Sequence, residues 1–205
     1  MVDTIAKANV KWRVVDIVVA AIIAVASGVI FSGWDLIYKI PSTALDLLPG
    51  ASGLVVGMWL FAAPLAALIV RKPGAALFAE IIAACVEFFI GGGSIFGITG
   101  TLIVGISQGL FAEIGFAVFA WRKWSLPVAA LSGALSGLGN YIYEFSPIGS
   151  HVAFGFASSY GLVYLVTTLI SGALIAGALM WVVQRALAAT GVLDRFASGR
   201  SEARV

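Results

Sequence analysis

The chain is organised as six long apolar runs, separated by short segments that are polar, basic or rich in glycine. The runs span residues 12–32, 53–70, 74–91, 98–120, 126–144 and 159–186. Each is close to the roughly 20 residues that an α-helix needs to cross about 30 Å of hydrocarbon. The pattern therefore predicts an all-α integral membrane protein with six transmembrane helices, numbered here one to six in chain order.

Composition agrees with this pattern. Of the 205 residues, 61% are hydrophobic and only 11% are charged, and the mean hydropathy is +1.06. A soluble domain of this length could not present so apolar a surface to water. The chain is therefore predicted to be a multi-pass protein whose main surroundings are the lipid bilayer.

Basic residues orient the predicted helices. Except for Lys39, every Lys and Arg lies before helix one, between helices two and three, between helices four and five, or after helix six. These residues are Lys7, Lys11, Arg13, Arg71, Lys72, Arg122, Lys123, Arg185, Arg195, Arg200 and Arg204. Because basic residues concentrate in cytoplasmic segments, both termini are predicted to be cytoplasmic, with an N-terminal segment at 1–11, the transmembrane domain at 12–188 and a tail at 189–205. The net charge of +2 reflects this topology and does not indicate a nucleic-acid partner.

The links predicted on the outer side differ from the cytoplasmic ones. They cover residues 33–52, 91–94 and 145–158 and are rich in glycine, proline, aromatic and polar residues, whereas the cytoplasmic links are short and basic. Binding segments and lids tend to occur in longer loops that are rich in glycine and proline. The outer face is therefore the predicted mouth for a solute.

Two carboxylates interrupt the third run. Glu80 and Glu87 are seven residues apart, which puts them within about 20° of one helical face and about 10 Å apart along it. A charged group inside a membrane helix costs on the order of 2.5 to 3.5 kcal/mol and usually faces a partner, a cavity or a transport path. Glu87 lies at the depth of an outward-facing pocket and is the better ligand candidate. Glu80 lies deeper and either lines the pocket floor or ties helix three to a buried polar group such as Gln108.

Polar and aromatic residues from other segments reach the same outer half. The predicted substrate-binding residues are Glu87, Glu80, Trp34, Tyr38, Gln108, Asn140 and Tyr143, with Tyr141 and Glu144 at the same boundary. A few polar anchors in an apolar and aromatic lining are typical of a small-molecule pocket. Trp34 and Tyr38 also fit the aromatic belt of a membrane interface. Glu113 is too close to the cytoplasmic side and is interpreted as structural or as coupling to a partner, and His151 as a solvated loop residue.

Small residues form a stripe on helix one, where Ala20, Ala24 and Gly28 recur every fourth position. In lipid, such a stripe lets another helix approach closely. It serves either as an interface for a partner subunit or for packing within the chain. A second short pattern, the similarity of FAEI at 78–81 to FAEI at 111–114, is interpreted as coincidence because helices three and four run in opposite directions.

Catalytic motifs are not supported by their context. Residues 105–109 match G-x-S-x-G, but that motif needs a strand-to-helix turn and here lies within a predicted helix. An intramembrane serine hydrolase would pair Ser107 with a histidine on a neighbouring helix, whereas His151 is predicted in a loop. The sequence contains no nucleotide-binding P-loop. No catalytic residue, metal ligand or cofactor is predicted, and any ATP drive must come from a partner.

Several segments closely resemble the YkoE-type substrate-binding subunit (S component) of energy-coupling factor (ECF) transporters. They are RKPGAA at 71–76, EIIAA at 80–84, VE at 86–87, QGL at 108–110, LISGAL at 169–174 and TGVL at 190–193. The likeness extends from helix two onward, and the helix-three motif is its specific part. The resemblance implies a six-helix S-component bundle in the bacterial cell membrane that captures thiamine or its hydroxymethylpyrimidine precursor. Such subunits work with a transmembrane coupling subunit and a pair of ABC-type ATPases.

The candidate residues suit such a ligand. Thiamine carries a fixed positive charge that a carboxylate attracts in a medium of low dielectric constant, and Trp34, Tyr38 and Tyr143 offer flat faces for stacking. The small-residue stripe would suit docking to the coupling subunit. Three other classes stay open: a stand-alone secondary carrier that uses Glu80 and Glu87 as proton or ion sites, the serine hydrolase, and a purely structural membrane subunit.

Overall fold

The computed structural model describes residues 10–45, 47–94 and 97–202, with side chains described as far as Gly199. Most of the predicted segment 1–11, including Lys7, lies outside the described residues, as does Arg204. The side chain of Arg200 is also outside them. Statements below about the structure refer to the described part of the chain.

This part of the chain is helical and contains no β-strand, which confirms the predicted all-α class. The elements are α1 (Val14–Ile37), α2 (Lys39–Leu45), a 3-10 helix (Ala51–Trp59), α3 (Ala62–Val70), α4 (Ala75–Ile90), α5 (Ile98–Ala117), α6 (Leu126–Glu144), a 3-10 turn (Val152–Phe154), α7 (Ser159–Ser171), a π-helical segment (Gly172–Leu179), α8 (Met180–Ala189) and α9 (Ala197–Glu202). A helical segment lies on each of the six apolar runs.

Three helical stretches are long and apolar enough to cross a membrane, namely Val14–Ile37, Ile98–Ala117 and Ser159–Ala189. A fourth such stretch exists if the 3-10 helix and α3, which meet at a bend of 42°, are counted together as one span. The α4 helix has only 16 residues. Six spans and cytoplasmic termini therefore stay predictions.

Two buried glutamates cap helices other than their own. The Ala63 amide at the start of α3 donates to Glu80 Oε2 at 2.8 Å. The Gly74 and Ala76 amides at the start of α4 donate to Glu113 at 2.9 and 3.0 Å. A helix start leaves its first N–H groups without intrahelical partners, and an acceptor there also meets the positive end of the helix dipole. The two carboxylates therefore fix where α3 and α4 begin within the bundle.

The small-residue stripe on α1 is covered by the chain itself, which favours the alternative of packing within the chain, and its use by a partner subunit stays a prediction. Ala20 and Ala24 have no exposed surface. A Cβ placed on Gly28 would lie 2.5 Å from the Ala83 carbonyl oxygen and 2.6 Å from the Val86 Cβ. The stripe thus allows α1 and α4 to pack backbone to backbone, and no partner can reach it in this conformation.

The predicted tail packs beneath the bundle as far as it is described. Leu193 and Phe196 are buried in a cluster with Ile69 and Ala188. The Ser198 hydroxyl donates to the Ile69 carbonyl oxygen at 2.8 Å. The segment after α8 therefore closes the end of the bundle that is predicted to face the cytoplasm, and the opposite end is left for the site.

Candidate functional site

A cavity of about 480 Å³ occupies the end of the bundle that is predicted to face outward. It is lined by Phe31, Asp35, Tyr38, Ser42, Ser52, Val55, Val56, Trp59, Ala84, Glu87, Val104, Gln108, Asn140, Glu144, Ser150, His151 and Tyr164. These residues come from the last turns of α1, α4 and α6, from the 3-10 helix, and from α2, α5, α7 and the loop after α6. Its volume falls within the range of small-molecule binding sites.

One side of the cavity combines two carboxylates with aromatic rings. The Trp59 indole N–H donates to Asp35 Oδ1 at 3.1 Å, and the Tyr38 and Trp59 rings meet edge to face at 5.1 Å. Glu87 is half-buried at the same edge of the cavity, where it interacts electrostatically with Asp35 and with the Trp59 indole. We call Asp35, Tyr38, Trp59 and Glu87 the acidic end. Two adjacent carboxylates repel each other unless a proton or a cation lies between them, and the ring faces attract cations as well.

The deeper part of the cavity contains an amide pair. Gln108 Nε2 donates to Asn140 Oδ1 at 2.8 Å, and each residue is only 5% exposed. Tyr164 lines the same cavity and interacts electrostatically with Asn140. The bond within the pair does not use the Gln108 carbonyl oxygen or the two hydrogens of the Asn140 amide. The amide pair therefore offers the Gln108 oxygen as an acceptor and the Asn140 amide hydrogens as donors to a molecule in the cavity.

The loop after α6 supplies the remaining wall. His151 Nδ1 lies 2.9 Å from Glu144 Oε2, and the Ser150 hydroxyl donates to the same carboxylate. The imidazole ring stacks at 5.5 Å on Phe145 and at 5.8 Å on Tyr160. The position of His151 in a loop predicts a solvated side chain, but only 23% of this side chain is exposed. These contacts fold the loop over the cavity.

Four of the seven predicted site residues line the cavity, namely Tyr38, Glu87, Gln108 and Asn140. The other three, Glu80, Trp34 and Tyr143, are not among its lining residues. Glu80 is fully buried as the cap of α3, and its second oxygen, Oε1, has no hydrogen-bond partner among the described residues. Trp34 packs against Trp59, with 6.1 Å between ring centroids. Tyr143 is half-buried on α6.

Sequence reasoning missed Asp35, Trp59 and Tyr164. The apolar run ends at residue 32, which predicts that Asp35 lies in the first outer loop, at 33–52. In the structure, however, α1 continues to Ile37. Phe31, Asp35 and Tyr38 are spaced by four and three residues, so an extended helix one would have put them on one face. Trp59 and Tyr164 lie inside apolar runs, where an aromatic residue gives no separate signal.

Comparisons with known proteins cover nearly the whole chain. A family model described as "ABC-type cobalt transport system, permease component" matches residues 15–139. The chain is 37% identical over 192 residues to "Putative HMP/thiamine permease protein YkoE" of Bacillus subtilis, which covers 93% of this chain and 92% of that protein. A solved structure described as "Crystal structure of an S-component of ECF transporter" matches with a TM-score of 0.79 and 35% identity, over 95% of this chain and 94% of that one.

Proposed function

The chain belongs to the YkoE-type S-component family of ECF transporters, and from this premise we propose that it captures thiamine from the outer side of the membrane for ATP-driven uptake. Members of this family are substrate-binding transporter subunits and not enzymes. The relative named above is described as a permease for HMP, which is hydroxymethylpyrimidine, or thiamine. The choice between these two ligands is the finer part of the proposal.

The acidic end is the observation that supports thiamine. Glu87 and Asp35 face one another beside the Trp59 and Tyr38 rings. A unit positive charge about 4 Å from a carboxylate gains about 4 kcal/mol at an effective dielectric constant of 20, and an aromatic face adds about 0.5 to 2 kcal/mol. The thiazolium ring of thiamine carries such a charge, whereas hydroxymethylpyrimidine is neutral. The acidic end therefore favours thiamine.

The amide pair suits the other half of the ligand. The aminopyrimidine ring presents an amino donor beside a ring-nitrogen acceptor, which matches the unused acceptor of Gln108 and the unused donors of Asn140. Both amides are buried, so a ligand that lacks this edge would leave polar groups unpaired. We assign the pyrimidine to the amide pair and the thiazolium to the acidic end.

The transport cycle follows from the predicted topology. In the proposed arrangement residues 12–188 form a six-span substrate-binding domain in the plasma membrane, with both termini cytoplasmic and the cavity open to the outside. A transmembrane coupling subunit and a pair of ABC-type ATPases then reorient the loaded subunit. Because α4 covers the stripe on α1 in this conformation, we expect the coupling subunit to use another surface.

Ligand binding to the purified protein tests this proposal. Trp34 and Trp59 lie at or near the cavity, so bound thiamine should change the tryptophan fluorescence and raise the melting temperature in detergent. Glu87→Gln should weaken thiamine by about 10- to 100-fold and hydroxymethylpyrimidine by much less. Tyr143→Phe, which removes a hydroxyl outside the cavity lining, is the matched control. Equal losses for both ligands in Glu87→Gln would refute the assignment of the charge, and no response to either ligand would refute the function.

A stand-alone carrier is the second candidate, because the Asp35 and Glu87 pair is also an arrangement that can hold a proton or a small cation. Uptake of thiamine into liposomes by this chain alone would favour the carrier. Uptake only when the coupling subunit and the ATPases are present would favour the S component.

A further inference from the structure

We infer that the cavity selects the free alcohol form of its ligand and rejects the phosphate esters, an inference that rests on the proposed function and concerns the same site. Three carboxylates line the cavity, those of Asp35, Glu87 and Glu144. The one basic side chain among the described lining residues is His151. The charge of the lining is therefore suited to a cation and unsuited to an anion.

The imidazole is already engaged by a carboxylate. His151 Nδ1 lies 2.9 Å from Glu144 Oε2, and its ring is stacked on Phe145 and Tyr160. Any positive charge on this ring is thus matched by Glu144 at hydrogen-bonding distance. A phosphate that approached the imidazole would have to compete with a carboxylate that the Ser150 hydroxyl also holds in place.

Helix starts are the other common source of phosphate contacts. At the start of α7, the helix that carries the lining residue Tyr164, the Gly161 amide donates to the Ser158 hydroxyl at 2.9 Å. The buried amides at the start of α3 and α4 are likewise taken by Glu80 and Glu113. These amides at the starts of α3, α4 and α7 therefore already donate to protein groups.

The proposed orientation places a phosphate where repulsion is strongest. In thiamine the hydroxyethyl group is attached to the thiazolium ring, so an ester at this position lies beside Asp35 and Glu87. A phosphate monoester carries a charge of about −1.5 to −2 at neutral pH. The negative charges of the phosphate then lie beside two carboxylates. Their mutual repulsion offsets the attraction between these carboxylates and the thiazolium ring. We expect the ester to bind at least about 100-fold more weakly than the alcohol, which corresponds to about 2.8 kcal/mol.

This selectivity defines a step that must precede uptake. A phosphorylated form of the vitamin has to undergo phosphomonoester hydrolysis on the outer side. Water adds to phosphorus, the bond between phosphorus and the ester oxygen breaks, that oxygen takes a proton to give the alcohol, and inorganic phosphate leaves. The free alcohol is then the species that enters the cavity.

Competition binding tests the inference on the purified full chain. Thiamine and thiamine monophosphate are titrated with tryptophan fluorescence as the readout, and the ratio of their dissociation constants is the measured quantity. The ratio should be at least about 100 for the unmodified protein and should fall about tenfold in Asp35→Asn. Tyr143→Phe, which removes a hydroxyl outside the cavity lining, should leave the ratio unchanged.

Two results separate the inference from the proposed function. If thiamine binds and its monophosphate binds within threefold of it, the inference is wrong and the function stands. If neither alcohol, thiamine or hydroxymethylpyrimidine, binds, the function fails and the inference fails with it. Glu87→Gln provides a second charge-removing variant, so a ratio that falls in neither Asp35→Asn nor Glu87→Gln also overturns the electrostatic explanation.

Discussion

Replacement of Glu80 distinguishes a helix cap from a ligand-binding group. Glu80 is fully buried, and its Oε2 accepts the Ala63 N–H at 2.8 Å. Glu80→Ala leaves this amide without an acceptor, which costs about 1 to 3 kcal/mol, and adds the loss of packing of a side chain that has no exposed surface. Glu80→Gln keeps the shape and an acceptor oxygen for the Ala63 N–H, so it should cost less than Glu80→Ala.

Thermal unfolding in detergent measures this difference. For a chain of this size 1 kcal/mol corresponds to about 2 to 4 °C. Glu80→Ala, at about 3 kcal/mol, should therefore lower the melting temperature by about 6 to 12 °C, and Glu80→Gln by about half as much or less. Because Glu80 does not line the cavity, the thiamine affinity of folded Glu80→Gln should stay within about threefold of the unmodified protein.

The opposite outcome would refute the cap. If Glu80→Gln melted at the unmodified temperature and lost thiamine binding by tenfold or more, Glu80 would be a ligand residue. Tyr143→Phe provides a reference for a change on another helix, α6, that removes one hydroxyl outside the cavity lining. Comparison of the two variants separates loss of the cap from a general effect of substitution within the bundle.

Three further predictions address the other structural assignments. Glu113→Gln should lower the melting temperature by about 4 to 8 °C, because it loosens two amide contacts at the start of α4 and the Trp121 indole bond at 2.6 Å; an unchanged temperature would argue for a partner-coupling role. Gly28→Val should destabilise the free subunit, since its Cβ would lie 2.5 Å from the Ala83 carbonyl oxygen. If Gly28→Val were stable and lost only its copurification with a coupling subunit, the stripe would instead be a partner interface. His151→Ala should increase the dissociation rate of thiamine in stopped-flow fluorescence, because it removes the Glu144 contact and the ring stacking that hold the loop over the cavity; an unchanged rate would show that the loop does not retain the ligand.

The two FAEI segments show how far a short pattern can be interpreted. By sequence alone, the opposite directions of the two helices favour coincidence as the explanation of this similarity. In the structure, Glu80 on α4 caps the start of α3, and Glu113 on α5 caps the start of α4. Each glutamate thus serves the helix that precedes its own and runs antiparallel to it. The role depends on contact between two helices, so neither segment alone indicates it.

The amino-acid sequence by itself determined where the helices lie. The length of an apolar run is set by the thickness of the hydrocarbon layer, and each of the six runs coincides with a helical segment. It also indicated that Glu80 and Glu87 share a face, because residues seven apart on an α-helix differ by only about 20°. Both do face the second apolar run in the structure, through Ala63 and Trp59 respectively.

Only the tertiary structure decided what each of these carboxylates does. The second run breaks by 42° between Trp59 and Ala62, so the new helix start lies against Glu80 while the end of the 3-10 helix lies against Glu87. One carboxylate, that of Glu80, therefore accepts a hydrogen bond from a backbone amide and caps α3. The other carboxylate, Glu87, lies beside an indole and Asp35 at the edge of the cavity, and for that reason we assign it to the proposed ligand. Periodicity specifies the face of a helix, but the group opposite that face depends on where a neighbouring chain segment bends.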